Sequence, residues 1–511
     1  MKIKLNLSQN ISAVFLQNMP EKSYKQILKT TGISGIAQGI QILLKIIGTK
    51  FVAILIGPAG VGLAGLLQST VDLIGTVAGS GLSQSAVRDI AVAVKNKNEE
   101  RVAFTFRVLN KLTWFIGIAG MIIVFAFSVQ LSRIAFNDDT HATDFKIISI
   151  IVLLSQLASG QLALLQGYRR IQSMALSPVI GSVISLSITI PLYYKYGTDA
   201  IIPGMVIMAA VNLACVFYFS RKIKTVKIQV SLKKTFLHGK YLGNLGFALM
   251  ISGLFMVIVM YILRILINNK LGLQHVGIFQ AGWSLSAIYL QLIFQAMGRD
   301  YYPRLSAASD SPVEINNLVN EQLHIGILIG APAIGVMLLI SPIIIQLLYS
   351  SEFLEATSMF QWLLLGTLLK IFIWPVAYIL PAMRSSVTYI ITELIGTFGL
   401  LLFSWFLLNT MGIEAIGLAF VINYILYVFV ILVAIRKVVK FKPDTYTLKL
   451  IASSILFIAI IFYIVYTQPS SFLFISLTTL IVLLLCSWSF IHLNRLVPVK
   501  AIIKNRRNRL R

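Results

Sequence analysis

Apolar residues run through this chain in long, nearly unbroken stretches, parted by short segments that hold most of the charge and turn residues. One bilayer crossing needs about 20 mostly apolar residues in helical form. The pattern predicts about 14 helices with boundaries good to a few residues. They fall near Thr31–Ile56, Leu63–Leu82, Leu112–Val129, Ile147–Tyr168, Ser173–Tyr193, Ala200–Phe219, Leu245–Ile267 and Val276–Met297, then His324–Leu348, Ser358–Met383, Val387–Leu408, Ala415–Ile435, Leu448–Tyr466 and Phe472–Ile491. The runs are too long and continuous for barrel strands, which alternate apolar and polar over about ten residues. The expected fold is an all-α polytopic membrane protein, with two six-helix lobes around a central cavity plus two C-terminal helices.

A self-match supports the two lobes. Gly57-Pro58-Ala59-Gly60-Val61-Gly62-Leu63 aligns with Gly272-Leu273-Gln274-His275-Val276-Gly277-Ile278, each joining the first two helices of a half. The expected organisation is an N-terminal arm over 1–30, a first lobe over 31–220, a basic loop over 221–243, a second lobe over 244–440, helices thirteen and fourteen over 441–492, and a basic tail over 493–511.

Polar residues inside the apolar runs recur at helical period. Ser34, Gln38, Gln41, Lys45 and Thr49 share one face of the first helix, Gln68, Asp72, Thr76, Gly79 and Ser83 one face of the second, and Gln280, Ser284, Gln291 and Gln295 one face of the eighth. Two readings fit such stripes: a hydrated cavity, or hydrogen bonding between neighbouring helices. Ionisable groups in a membrane helix are functional candidates by default. Here they are Lys45, Lys50, Arg264 and Lys370, with the acids Asp72 and Glu393. Lys45 and Asp72 lie at one depth and could neutralise each other, and Lys50 and Arg264 could instead snorkel outward. Four cations against two acids leave the interior positive, which suits phosphate and sugar better than a cation. Trp283, Tyr289, Trp374 and Tyr378 either stack on sugar faces or simply pack.

Composition narrows the class. Of 511 residues 57% are hydrophobic and 12% charged, against about 25% charged in soluble domains, and the mean hydropathy is +0.86. The net charge of +25 would suit a nucleic-acid binder, but the basic residues crowd one set of alternate segments, including Arg221–Lys240 and Arg495–Arg511. The positive-inside rule makes those segments, and both termini, cytoplasmic; no nucleic-acid partner is expected. Cys215 and Cys486 sit in apolar stretches and read as small packing residues. The five histidines are scattered, and no Walker A, HExxH, CxxC or G-x-S-x-G pattern occurs. No enzyme activity, metal or cofactor is therefore expected.

Ile56–Gly65, Ala78–Gly81, Val276–Gln280, Tyr289-Leu290-Gln291, Tyr302–Ser306, and Trp362–Lys370 with Glu393 beyond it resemble the Wzx-type flippases of O-antigen and enterobacterial common antigen. These are polysaccharide transporters of the multidrug/oligosaccharidyl-lipid/polysaccharide exporter superfamily. The resemblance spans most of residues 30–440. It implies alternating-access transfer of an undecaprenyl-diphosphate-linked oligosaccharide from the cytoplasmic to the periplasmic leaflet of a bacterial inner membrane, among membrane lipids and beside polysaccharide polymerase and chain-length machinery. It favours Lys370 as a cavity cation; Lys45, Lys50 and Arg264 rest on position. Gln38, Gln41, Gln68, Gln280 and Gln291 would line the cavity, and Asp72 or Glu393 would couple an ion. The two extra helices also occur in the lipid II flippase branch, a second reading; a cation-coupled multidrug exporter, relying on Asp72 or Glu393, is a third.

Overall fold

The structure, a computed structural model, describes residues 21–226, 228–383, 385–436, 438–467 and 472–496, with side chains outside 21–37, 78, 80, 241, 243–252, 288–300 and 386. Every regular element among the described residues is helical. In chain order these are α1 (Glu21–Lys95, broken at Gly57), α2 (Glu99–Ala126), α3 (Ser128–Phe136), α4 (Ala142–Gly167), α5 (Ile171–Tyr196), α6 (Ile201–Ser220), α7 (Leu232–Leu271) and α8 (Leu273–Ala307). The chain continues through α9 (Pro312–Leu339), α10 (Ser341–Leu348), α11 (Ala356–Ala377), α12 (Ile379–Ala382), α13 (Ser386–Met411), α14 (Glu414–Arg436), α15 (Thr445–Thr467) and α16 (Phe472–Leu496). Helix starts carry the expected chemistry. The Asn98 side chain accepts from the Arg101 backbone N–H at 2.9 Å ahead of Glu99 and Glu100, and Ser311 caps α9 with Pro312 in its first turn.

Among the described residues, eleven helical stretches are long and apolar enough to cross a membrane. Two of them contain a break, Gln38–Val77 at Gly57 and Ile171–Ser220 at the short turn Gly197–Ala200. The late helices are inverted relative to those of a soluble protein. In α16, Thr478 and Ser489 are buried while Leu480, Leu483 and Leu484 face outward; in α13, Ser404 is buried while Leu402, Trp405 and Phe406 are exposed. Such an arrangement is stable only where the surrounding solvent is lipid. The chain is a multi-pass membrane protein.

The repeat extends well beyond the matched hairpins. The described glycines with positive φ form two pairs 215 residues apart, Gly57 with Gly272 and Gly197 with Gly412. Within each pair both φ and ψ are similar, in a region that L side chains rarely adopt. The offset also maps both ends of α5 onto both ends of α13, and the end of α6 to within one residue of the end of α14. The two halves are therefore built from matching helices in matching order, with α15 and α16 following them.

By contacts the chain divides into two compact units. The first takes in residues up to Phe51, Ile74–Leu131 and Thr140–Ile251, and the second Val52–Leu73, Ser132–Asp139 and residues from Ser252 onward. The core of the first gathers Ile90, Leu164, Leu165 and Val216 beside Val108, Leu109 and Leu242. The second is centred on α9, α11 and α14, with Phe279, Phe353 and Phe360 fully buried. There the α15–α16 pair packs on α9, and a Cβ at Gly335 would stand 3.1 Å from Leu485 and 3.4 Å from Ile461.

Candidate functional site

The second unit encloses a cavity of about 530 Å³ walled by α8, α11, α13 and α14, with Met256 of α7 at one side. Its lining follows helical period. Lys370, Trp374 and Tyr378 share a stripe that runs off the end of α11; Tyr389, Glu393, Gly396 and Leu400 share a face of α13; Phe420, Tyr424 and Tyr427 share a face of α14. Gly396 lets α13 approach α14, since a Cβ there would stand 2.6 Å from the Tyr427 ring. The Asn423 amide donates to the Gly396 carbonyl at 2.7 Å and so ties the same two helices together. In size and mixed character the cavity suits a ligand site.

Lys370 of α11 and Glu393 of α13 both line this one cavity. The Tyr427 hydroxyl donates to Glu393 Oε1 at 2.5 Å, and the Lys370 ammonium stands 5.9 Å from the Tyr424 ring centroid. The aromatics form two banks. Trp283, Phe420, Tyr424 and Tyr427 follow one another at centroid separations of 5.7, 4.7 and 5.9 Å; Trp374 and Tyr378 lie 4.5 Å apart, with Tyr302 beyond at 5.9 Å. Flat apolar faces beside one ammonium, one carboxylate and an amide can hold a sugar and an anionic group together. Trp283, Trp374 and Tyr378 thus pack against other rings and also line the cavity; the Tyr289 side chain lies outside the described residues.

A second cluster lies where the two glycine hairpins meet, also within the second unit. A Cβ at Gly62 would fall 2.1 Å from the Leu273 carbonyl oxygen and one at Gly277 1.9 Å from that of Pro58, so the segments touch backbone to backbone. Further along the same helices Arg264 donates to Gln280 Oε1 at 2.7 Å and to the Met260 carbonyl at 3.1 Å, over the Phe279 ring at 5.7 Å. Gln280 donates on to Ser284 at 3.1 Å. Gln68 donates to Asp72 at 2.8 Å, and Asp72 lies within electrostatic range of Arg264. Arg264 therefore turns inward rather than snorkelling, and Gln68 and Gln280 are polar partners of the charges.

The remaining candidates fall elsewhere. In the first unit Gln38 and Lys45 are exposed, while Gln41 and Lys50 are partly buried. The Gln291 side chain lies outside the described residues. The far end of the second polar stripe serves helix packing: Ser83 and Ser159 hydroxyls bond at 2.8 Å, and Gln156 donates to the Gly75 carbonyl at 2.9 Å. Sequence reasoning missed Asn423, Tyr424, Tyr427 and Tyr389. The available signal was Phe420, Tyr424 and Tyr427 at helical spacing in a helix otherwise almost wholly aliphatic.

The fold and site define a helical transporter-like membrane protein with a repeated architecture and a mixed aromatic and charged cavity. Residues 51–358 match the family described as polysaccharide biosynthesis protein, and the chain belongs to that family. It is 25% identical over 388 residues to the lipid III flippase of Escherichia coli (strain K12), covering 74% of this chain and 90% of that protein. The lipid II flippase MurJ in an inward closed conformation shares the fold with a TM-score of 0.69 at 16% identity, covering 90% of this chain and 98% of that one. An inward-facing multidrug resistance MATE transporter of the MOP superfamily does so with a TM-score of 0.64 at 14% identity, covering 82% and 95%. The chain thus has the fold of the MOP superfamily, and these relatives are flippases and transporters rather than enzymes.

Proposed function

We propose that this protein is a flippase that carries a polyprenyl-diphosphate-linked oligosaccharide across the cytoplasmic membrane of a bacterium by alternating access. The observation that carries this reading is the Lys370 ammonium set among aromatic faces in a cavity between membrane helices, in a chain related to a lipid III flippase. Lys370 and Arg264 take the diphosphate by charge-assisted hydrogen bonds, and the Trp283 and Trp374 rings take sugar faces. Lys45, Lys50, Gln38, Gln41, Gln68, Gln280 and Gln291 line the polar route. Asp72, or Glu393 with its Tyr427 partner, couples turnover to an ion. The chain crosses the membrane about 14 times with the basic segments and both termini in the cytoplasm, and delivers its cargo to a polysaccharide polymerase and chain-length machinery.

The test uses proteoliposomes holding the purified protein and a labelled undecaprenyl-diphosphate oligosaccharide, and follows label that becomes accessible in the opposite leaflet. Protein-dependent transfer is expected, and the double variant Lys370→Gln, Arg264→Gln should abolish it while its melting temperature stays near that of the parent. Absence of transfer for several such lipids, together with efflux of cationic drugs, would overturn the reading in favour of an exporter. Full transfer by the double variant would overturn the site.

A further inference from the structure

Two prolines interrupt one helical run of the second unit. Pro375 has no N–H to give to the Ile371 carbonyl, and Pro381 has none for the Ala377 carbonyl. Between them α11 ends at Ala377 and the short α12 begins at Ile379. Tyr378 keeps near-helical angles, φ −67° and ψ −13°, and its N–H reaches the Trp374 carbonyl only at 3.3 Å. The joint is therefore a stretch of helix with bonds missing rather than a turn. The first half has no such joint. At the offset that pairs Gly57 with Gly272, α4 falls on α11 and α12 together, to within one residue, and runs unbroken. Gly160 stands there in the place of Pro375 and Gln166 in that of Pro381.

The joint carries one aromatic bank of the cavity, with Trp374 just before Pro375 and Tyr378 just after the end of α11. Tyr301 of α8 meets this bank from behind. It is only 2% exposed and lies outside the cavity lining. Its ring stands 6.0 Å from the Trp374 ring and 6.3 Å from that of Tyr378, centroid to centroid. Its hydroxyl donates to the Pro375 carbonyl at 2.7 Å. In the first half Ala86 replaces Tyr301, while Ser159 and Ala163 replace Trp374 and Tyr378. The hydroxyl, the joint and the bank thus occur together in one half and are missing together from the other.

We infer that Tyr301 is a positioning residue that, through the Pro375 carbonyl, sets the angle of the Trp374 and Tyr378 rings against the saccharide. The inference rests on the flippase reading. A helix bends most easily where its hydrogen-bond ladder is interrupted, so a buried bond from a neighbouring helix decides where the rings beside the interruption point. Lys370 lies one turn before Trp374, on the regular part of α11. The ammonium that takes the diphosphate therefore does not depend on the tie, and Tyr301 governs the fit of the sugar alone.

The experiment measures binding of two lipids to the full-length protein in nanodiscs, an undecaprenyl-diphosphate trisaccharide and undecaprenyl diphosphate without sugar, and transfer of the first in proteoliposomes. Tyr301→Phe keeps the ring and removes the hydroxyl. It should weaken binding of the trisaccharide lipid about three- to tenfold, the range for one hydrogen bond, and raise the half-saturating concentration for transfer to match. Binding of the bare diphosphate lipid should not change, and the maximal rate should stay within about twofold. Pro375→Ala restores the missing N–H and tests the joint from its other side, which serves also if Tyr301→Phe lowers the melting temperature. Alone it should weaken the trisaccharide lipid and spare the bare one. Adding Tyr301→Phe to it should change either affinity by less than about twofold, because both act through one joint. Equal weakening of both lipids, a lower maximal rate at unchanged half-saturation, or full trisaccharide affinity in both variants would overturn the positioning role and leave the flippase reading standing. A parent protein that neither binds nor moves the trisaccharide lipid would overturn that reading and the positioning role with it.

Discussion

The two halves of this protein share a scaffold and differ in what they build on it. At the offset of 215 residues that pairs Gly57 with Gly272 and Gly197 with Gly412, the charged and most of the aromatic cavity residues of α11, α13 and α14 have small or aliphatic counterparts in the first half, while Trp283, Ala287 and Tyr427 correspond to the polar Gln68, Asp72 and Asn212. Lys370 corresponds to Ser155, Trp374 to Ser159, Tyr378 to Ala163, Tyr389 to Met174, Glu393 to Pro178, Phe420 to Met205 and Tyr424 to Ala209. Ser159, in the place of Trp374, bonds Ser83 and ties α4 to α1. The positions that set backbone path were kept, and those that set cavity chemistry diverged. On α11, α13 and α14 the second half carries rings and charges where the first has packing residues, and the first half carries polar side chains on α1 and α6 instead.

The largest effect should come from the shared scaffold. Gly277→Val would drive Cβ into the Pro58 carbonyl oxygen, and Gly62→Val into that of Leu273, where neither backbone can yield without parting the hairpins. Both variants should lose more than about 99% of transport, a deficit of about 3 kcal/mol, and should fall in melting temperature together. Gly253, with nothing near its Cβ direction, should accept Ala with no loss. Tolerance of Val at one hairpin glycine alone would break the claim that the two halves use their hairpins alike. Next in size, Lys370→Gln removes the cavity's ammonium, and hydrogen bonds to charged groups contribute about 1.5–3 kcal/mol. Transport should fall about tenfold to a hundredfold, whereas Ser155→Ala should stay within about twofold. Equal losses at the two positions, measured in the same proteoliposomes, would mean that the Lys370 face of α11 has no larger part in transport than its counterpart on α4.

A smaller contrast separates Trp374 from Ser159. Trp374→Ala takes away a flat face of the cavity, and an aromatic contact of this kind contributes about 0.5–1.5 kcal/mol beyond its area. The concentration of lipid-linked saccharide at half-maximal transport should rise several-fold with little change in melting temperature. Ser159→Ala should do the reverse, since losing the bond to Ser83 costs about 1 kcal/mol of stability and leaves transport unchanged. Saturation curves and thermal melts on both variants decide the point.

How much of this could be read in the sequence depends on whether a residue's role is local. Long apolar runs announced the helices because a bilayer crossing imposes its own length. The glycine hairpins announced the repeat because L side chains rarely adopt their combination of φ and ψ, although the match at Gly57 and Gly272 hid how far the offset extends. Charges inside apolar runs pointed to Lys370, Glu393 and Arg264 through the expense of burying them. Tyr427 and Asn423 carry no charge to give that signal; the spacing of Phe420, Tyr424 and Tyr427 marks a shared face, but what the face meets depends on the helix opposite. The stripe at Gln68, Asp72, Thr76, Gly79 and Ser83 fits both of its readings: Asp72 meets charge chemistry near one end, while Ser83 bonds Ser159 at the other. Periodicity finds a face and does not say what the face meets.

The smallest expected effect concerns the helices that only one half carries. Asn320 and His324 of α9 correspond to Thr105 and Leu109 of α2, and they dock the segment leading into α15. Asn320 Oδ1 accepts from the Asp444 backbone N–H at 3.1 Å and from the Thr447 hydroxyl at 2.7 Å, and His324 Nε2 meets the same hydroxyl at 2.7 Å and Asp444 Oδ1 at 3.4 Å. Burial alone would raise the Asp444 carboxyl, but hydrogen bonds from the Thr447 backbone and side chain, with His324 beside it, hold it below its ordinary 3.8. A carboxylate held low contributes stability above its unfolded pKa and loses it as pH falls through the lower folded value. Asp444 is about half exposed, so screening keeps the contribution below about 1 kcal/mol. Amide exchange at the start of α15 should therefore speed up modestly as pH falls below about 4, after correction for the intrinsic rate, and Asp444→Asn should show the fast rate already at neutral pH. The start of α2, which bears no such dock, should show no matching step. An identical pH response at both sites would mean that Asp444 does not set the attachment of α15 to the second half.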